Sequence, residues 1–176
     1  DVTFLGFNMR DPVVGHLPGD EDGNRRRRLL RRAIALAYPW DRWFDVVRNG
    51  AWAVRAQSCL PPGLREAAAA PTGEWTAGPD LEGAAALLAE AGWPGGRGLP
   101  GLTLEEAGTG SASRTASLLL KDAMAKIGVE IRPIANTWPQ FDAKVKGRSA
   151  QMFRMAWRLD YPDAENVLMQ FYGPNA

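Results

Sequence analysis

Hydrophobic residues along the chain recur with two periods, one suited to strands and one to helices. VTFLGFNMR at the start is β-branched and aromatic-rich and predicts a strand. DPVVGHLPGDEDGN after it predicts a loop, because Pro, Gly and acidic residues crowd it. In NRRRRLLRRAIALAYP, Leu29, Leu30, Ala33, Ile34 and Ala37 return at helical spacing, with Asn24 as the expected cap and Pro39 as the stop. WDRWFDVVRNG predicts a short second helix closed by Asn49-Gly50.

From Ala51 to Gly78 the pattern is irregular, with CLPPGL as a turn and AAAAPTGEWTAGP as a surface connection. Asp80 then caps a helix whose Leu81, Ala85, Leu88 and Ala91 share a face, and Gly92 closes it. Next come LTLEEA as a strand, SASRTASLLLKDAMAKIG as an amphipathic helix ending at Gly128, and VEIRPIA as a strand. That β-α-β order predicts two parallel strands, neighbours or near neighbours, joined by a right-handed crossover. WPQFDAKVKG as a short helix, QMFRMAW as a strand and DAENVLMQFYG as a helix capped by Asp163 complete the series. The expected fold is mixed α/β, a parallel or mixed sheet flanked by helices, with residues 1–176 forming one domain. The chain stops in GPNA within a predicted loop, which points to a piece of a longer protein.

Composition narrows the function classes. With 176 residues, 45% hydrophobic and 23% charged, the chain can bury an ordinary core, and its net charge of +1 supplies no global attraction to nucleic acid or an anionic membrane. No apolar run approaches the roughly 18 residues that span a bilayer, and DVTFLGFNMR does not read as a signal peptide. One cysteine, Cys59, excludes an internal disulfide and a multi-Cys metal cluster. The single histidine, His16, lies in the Pro/Gly-rich loop and reads as a solvated side chain rather than a metal ligand or triad member.

Several motifs invite chemistry and mostly decline it. RRRRLLRR could meet phosphates through Arg25 to Arg32. Its arginines surround the first turns of a helix whose apolar stripe the core needs, and Asp20, Glu21 and Asp22 offset them. GTGSAS lies between a strand and a helix start but lacks phosphate-loop spacing. Glu105 and Glu106 alternate across a strand and so cannot converge on one substrate bond. RMAWRLDYPDAEN is more suggestive. Arg154 and Ala156 face one way along the strand, Phe153, Met155 and Trp157 the other, and Asp160 follows the strand's carboxyl end, where open α/β sheets bind ligands. Arg154 and Asp160 could equally pair with each other or with neighbours, leaving Trp157 in the core.

In sequence order, FLGFNMRDP, RRLLRRAIALAYPWDRW, NGAW, LPPG, DLEGAAALLAEAGW, KIGVEIRP, NTWPQF and AWRLDYPDAENVL resemble the distal lobe of the dipeptide- and oligopeptide-binding proteins of bacterial ABC importers. The resemblance spans nearly all 176 residues. It implies one ligand-binding lobe of a two-lobed, non-enzymatic receptor without a cofactor. Such a receptor is periplasmic or a cell-surface lipoprotein, and passes a peptide-like ligand to a membrane permease. By the same resemblance Asp160 holds the ligand's α-ammonium, Arg154 matches a position that can take a carboxylate, and Trp138 and Trp157 match aromatics that line the cleft. Similar relatives carry nickel complexes, haem or sugars, and AYPWDRW departs from the family's usual helix continuation. Electrostatics suits the implied role: a receptor for peptides of any sequence can rely only on backbone, ammonium and carboxylate.

Overall fold

Four strands alternate their side chains between a helix-covered face and a second, thinner face. The computed structural model describes residues 2–48, 54, 56, 58–69 and 79–172. The strands are β1 (Val2–Phe7), β2 (Leu102–Ala107), β3 (Ile131–Asn136) and β4 (Met152–Trp157), in the order β1-β4-β2-β3. β2 runs parallel to both β3 and β4, whereas β1 pairs antiparallel with β4. The expected parallel pair around the crossover helix is therefore present, and the sheet is mixed. Pro133 sits in β3, an edge strand, where its missing N–H costs no ladder bond on the open side.

The helices are α1 (Glu21–Ala37), α2 (Trp40–Arg48), α3 (Leu81–Glu90), α4 (Ser111–Ala125), α5 (Trp138–Lys146) and α6 (Glu165–Leu168). Leu102, Leu104, Ile131 and Met152 project from the sheet into one core with Leu30, Ile34, Leu88, Leu120 and Met124 of α1, α3 and α4. Burying a side chain of that size contributes about 1.5–3 kcal/mol. On the opposite face, α5 inserts the fully buried Phe141 against Phe153, ring centroids 6.4 Å apart and edge to face. α1 ends where Tyr38 turns extended (ψ 125°) ahead of Pro39, as a residue preceding proline must, and α2 begins at once.

Two helices differ in extent from the sequence reading. α1 starts at Glu21 because Asp20, not Asn24, accepts from the Gly23 N–H. Asn24 is buried and instead exchanges two hydrogen bonds with the Leu17 backbone. The last helix is only Glu165–Leu168, and Asp163 accepts from the Glu165 N–H just before it. The expected stop at Asn49-Gly50 and most of the connection at 70–78 lie outside the described residues.

Four arginines of the run, Arg25, Arg26, Arg27 and Arg31, are engaged within the fold. Arg27, almost wholly buried, pairs with Asp20 and donates to the Pro12 carbonyl; Arg31 donates to the carbonyls of Val14 and Gly15. Arg25 pairs with Glu90, and Arg26 donates to the Ala91 carbonyl while lying 5.0 Å over the Trp93 ring. These side chains tie the loop at 8–20 and the end of α3 to α1. None of those four presents a free cation.

Candidate functional site

β2 and β4 are parallel neighbours, so their carboxyl ends lie side by side, and Glu106 of β2 stands in register with Arg154 of β4. Arg154 Nη2 donates to Glu106 Oε2 at 2.7 Å, and their side chains are 11% and 4% exposed. Ser117 of α4 donates to the other oxygen, Oε1, at 2.8 Å. The guanidinium lies beside the Tyr38 hydroxyl, and its Nη1 is buried without a hydrogen-bond partner. Burial pushes the Glu106 carboxyl above its ordinary value, outweighing the downward pull of Arg154 and Ser117. Burial likewise raises the Tyr38 phenol.

Glu105, one residue earlier, points to the opposite face. There its Oε2 accepts from Lys144 Nζ and from Asn136 Nδ2, both at 2.7 Å. The two acidic neighbours are thus committed to separate faces, and no carboxylate dyad exists between them.

A cavity of about 380 Å³ opens at these strand ends. Trp43, Val47, Trp138, Phe141 and Met155 give it largely apolar walls, and Glu106 and Arg154 are the charged groups among the described residues that line it. Trp138 opens α5, where Gln140 accepts from both the backbone N–H and the hydroxyl of the preceding Thr137. Its ring, 58% exposed, lies 5.8 Å from that of Phe141. The capping interaction fixes the start of α5, and with it where this indole meets solvent.

The structure therefore brings Arg154 and Trp138 onto one cavity, while Trp157 and Asp160 stand farther along the same chain exit and do not line it. Trp157 ends β4 and donates its indole N–H to Oδ1 of the buried Asn166 at 2.9 Å. Leu159 packs on a small second core of Leu60, Leu64, Ala164 and Val167. Asp160 follows directly, exposed, and takes part in no salt bridge among the described residues. Its backbone is anchored on one side by Leu159 and on the other by the turn in which Asp163 N–H donates to the Tyr161 carbonyl. His16 and Cys59 are exposed. GTGSAS supplies the Gly110 cap of α4 without a side-chain hydrogen bond. Trp43 and Phe141 are not singled out by the sequence, and Glu106 enters there only as the neighbour of Glu105 in a pair that cannot form a dyad. Glu106 meets Arg154 only through the register of β2 on β4, and no local spacing in the sequence shows that register.

Comparison with known proteins places this geometry in context. The profile described as Bacterial extracellular solute-binding proteins, family 5 Middle, matches residues 1–176. No curated protein matches. Among solved structures, the periplasmic binding protein DppA from Helicobacter pylori, in complex with the peptide STSA, superposes with a TM-score of 0.73 at 21% identity, covering 94% of this chain and 28% of its own. NikA from Brucella suis, in complex with Fe(III)-EDTA, gives 0.74 at 20% identity over 98% of this chain and 34% of that one. The oligopeptide-binding protein OppAIV from Borrelia burgdorferi gives 0.70 at 20% identity, over 98% and 31%. The chain thus spans about a third of the length of these structures. No helix among the described residues is long and apolar enough to cross a membrane.

Proposed function

The chain belongs to the bacterial extracellular solute-binding proteins of family 5, and from that premise we propose that it is one lobe of a receptor that captures di- or oligopeptides outside the cytoplasmic membrane for an ABC permease. The family and the fold are those of binding proteins rather than enzymes. The shared frame alone does not select a ligand: one similar structure holds a peptide and another Fe(III)-EDTA.

Asp160 carries the preference for peptides. A carboxylate left exposed just beyond the carboxyl end of a central strand, on a backbone held at both sides, is poised to receive an ammonium without first breaking an internal ion pair. Trp138 offers a flat exposed wall, Trp157 fixes the chain exit through Asn166, and Arg154 contributes to the cavity between them. Closure of a second lobe over this surface would exclude water and strengthen each of these contacts.

Mass spectrometry of small molecules that co-purify with the whole gene product tests this reading. Recovery of peptides supports it. Recovery of a metal chelate, haem or a sugar in their place would contradict it.

A further inference from the structure

The cavity at the strand ends has charged groups of both signs, and they neutralise one another through Arg154 Nη2, leaving Nη1 buried without a hydrogen-bond partner. Arg154 holds Glu106 at 2.7 Å, in register on adjacent strands, and Ser117 occupies the second carboxylate oxygen. A ligand carboxylate arriving here would find its place next to Arg154 taken by a carboxylate of the protein. It would also have to approach Glu106, a like charge in a poorly hydrated site. A ligand ammonium would meet Arg154 in the same way. The remaining walls are the indole rings of Trp43 and Trp138, Val47, Phe141 and Met155, which favour an uncharged flat or apolar group.

We propose that Glu106 is a specificity-determining residue: by neutralising Arg154 it makes this cavity a subsite for an uncharged, aromatic or apolar side group of the solute, and excludes a terminal carboxylate from it. The inference rests on the reading of the chain as a solute-binding lobe and specifies what one part of that lobe accepts. Arg154 serves the subsite by holding Glu106 and closing the cavity floor. A ligand's carboxylate, if it has one, is met elsewhere.

Three probes that share one aryl group and differ only in charge test this: 3-phenylpropionamide, 3-phenylpropionate and 3-phenylpropylamine, titrated at about pH 8 so that carboxylates are ionised and the amine is protonated. Chemical shifts of the Trp138 indole N–H and the Ser113 amide in the 176-residue chain report binding, down to millimolar affinity. The native chain should bind the amide at least about tenfold more tightly than either ion. Glu106→Gln exposes the cation and should shift preference to the propionate. Arg154→Gln exposes the anion and should shift it to the amine. The double substitution, neutral on both sides, should restore preference for the amide. Either single variant decides the matter if the other fails to fold, as circular dichroism will show. Preference of the native chain for propionate, an unchanged ranking in the folded variants, or no shift with any probe would overturn the inference. Each of these outcomes leaves the peptide reading standing or falling on the co-purification result, which does not involve this cavity.

Discussion

Arg154 and Glu106 face each other in register across β4 and β2, 2.7 Å apart and nearly out of water. Removing one partner strands the other's charge, whereas removing both does not. Glu106→Ala should therefore cost about 3–5 kcal/mol in chemical denaturation, and Arg154→Met with Glu106→Leu should cost much less than either single change. Equal losses from the single and double substitutions would show that the pair does not act as a unit.

Two carboxylates should move stability with pH in opposite directions. Glu106 is raised by burial, so its contribution is complete below the ordinary value near 4.5 and is lost as pH rises through the folded value. Asp20 is lowered, chiefly by the hydrogen bond from Arg27 and then by that from Gly23, so its contribution is present above 3.8 and is lost as pH falls. Thermal melts should show Glu106→Gln removing a downward trend above pH 4.5, and Asp20→Asn removing a loss on acidification below 3.8. Curves parallel to the native one in either case would contradict the assignment.

The turn after α4 and the short 3-10 turn at Pro94–Gly96 approach each other backbone to backbone. Gly96 (φ 76°) and Gly128 (φ 80°) both adopt the left-handed region, and a Cβ on Gly96 would overlap the Gly128 carbonyl. A Cβ on Gly128 would overlap the Gly95 carbonyl in turn. Gly96→Ala and Gly128→Ala should each destabilise the chain by at least about 2 kcal/mol in urea melts. The open Gly63, with nothing near its Cβ position, is the control and should change little.

These elements differ in how far the sequence reveals them. Periodicity places the strands and five of the helices, because β2, β3 and α1 each bury a face whose spacing is local. Strand order does not follow from periodicity: β1 joins β4 antiparallel across about 150 residues, a pairing set by which edges remain unpaired when the layers assemble. The start of α1 was misplaced because Asn24 and Asp20 are both good caps and only the buried bonds of Asn24 to Leu17 decide between them. At the site, the exit of β4 and its exposed Asp160 were legible from strand, Trp and Asp-Tyr-Pro order. Glu106 was not, since alternation shows that it faces away from Glu105 but cannot show what it faces.

A single lobe offers a peptide only part of its contacts, and the ordering cost of binding is nearly the same as for the whole receptor. Calorimetry on the 176-residue chain with dipeptides should therefore give a Kd weaker than about 0.1 mM. Micromolar binding would mean that this lobe holds the complete site.

The role of Asp160 as the ammonium receptor is tested most directly by calorimetry of the whole gene product with one dipeptide, free and N-acetylated, before and after Asp160→Asn. The expected result is a loss of about tenfold to a hundredfold on acetylation, a similar loss on Asp160→Asn, and little further discrimination between the two ligands in that variant. Equal binding of free and acetylated dipeptide by the native protein, or undiminished discrimination without the Asp160 carboxylate, would contradict it.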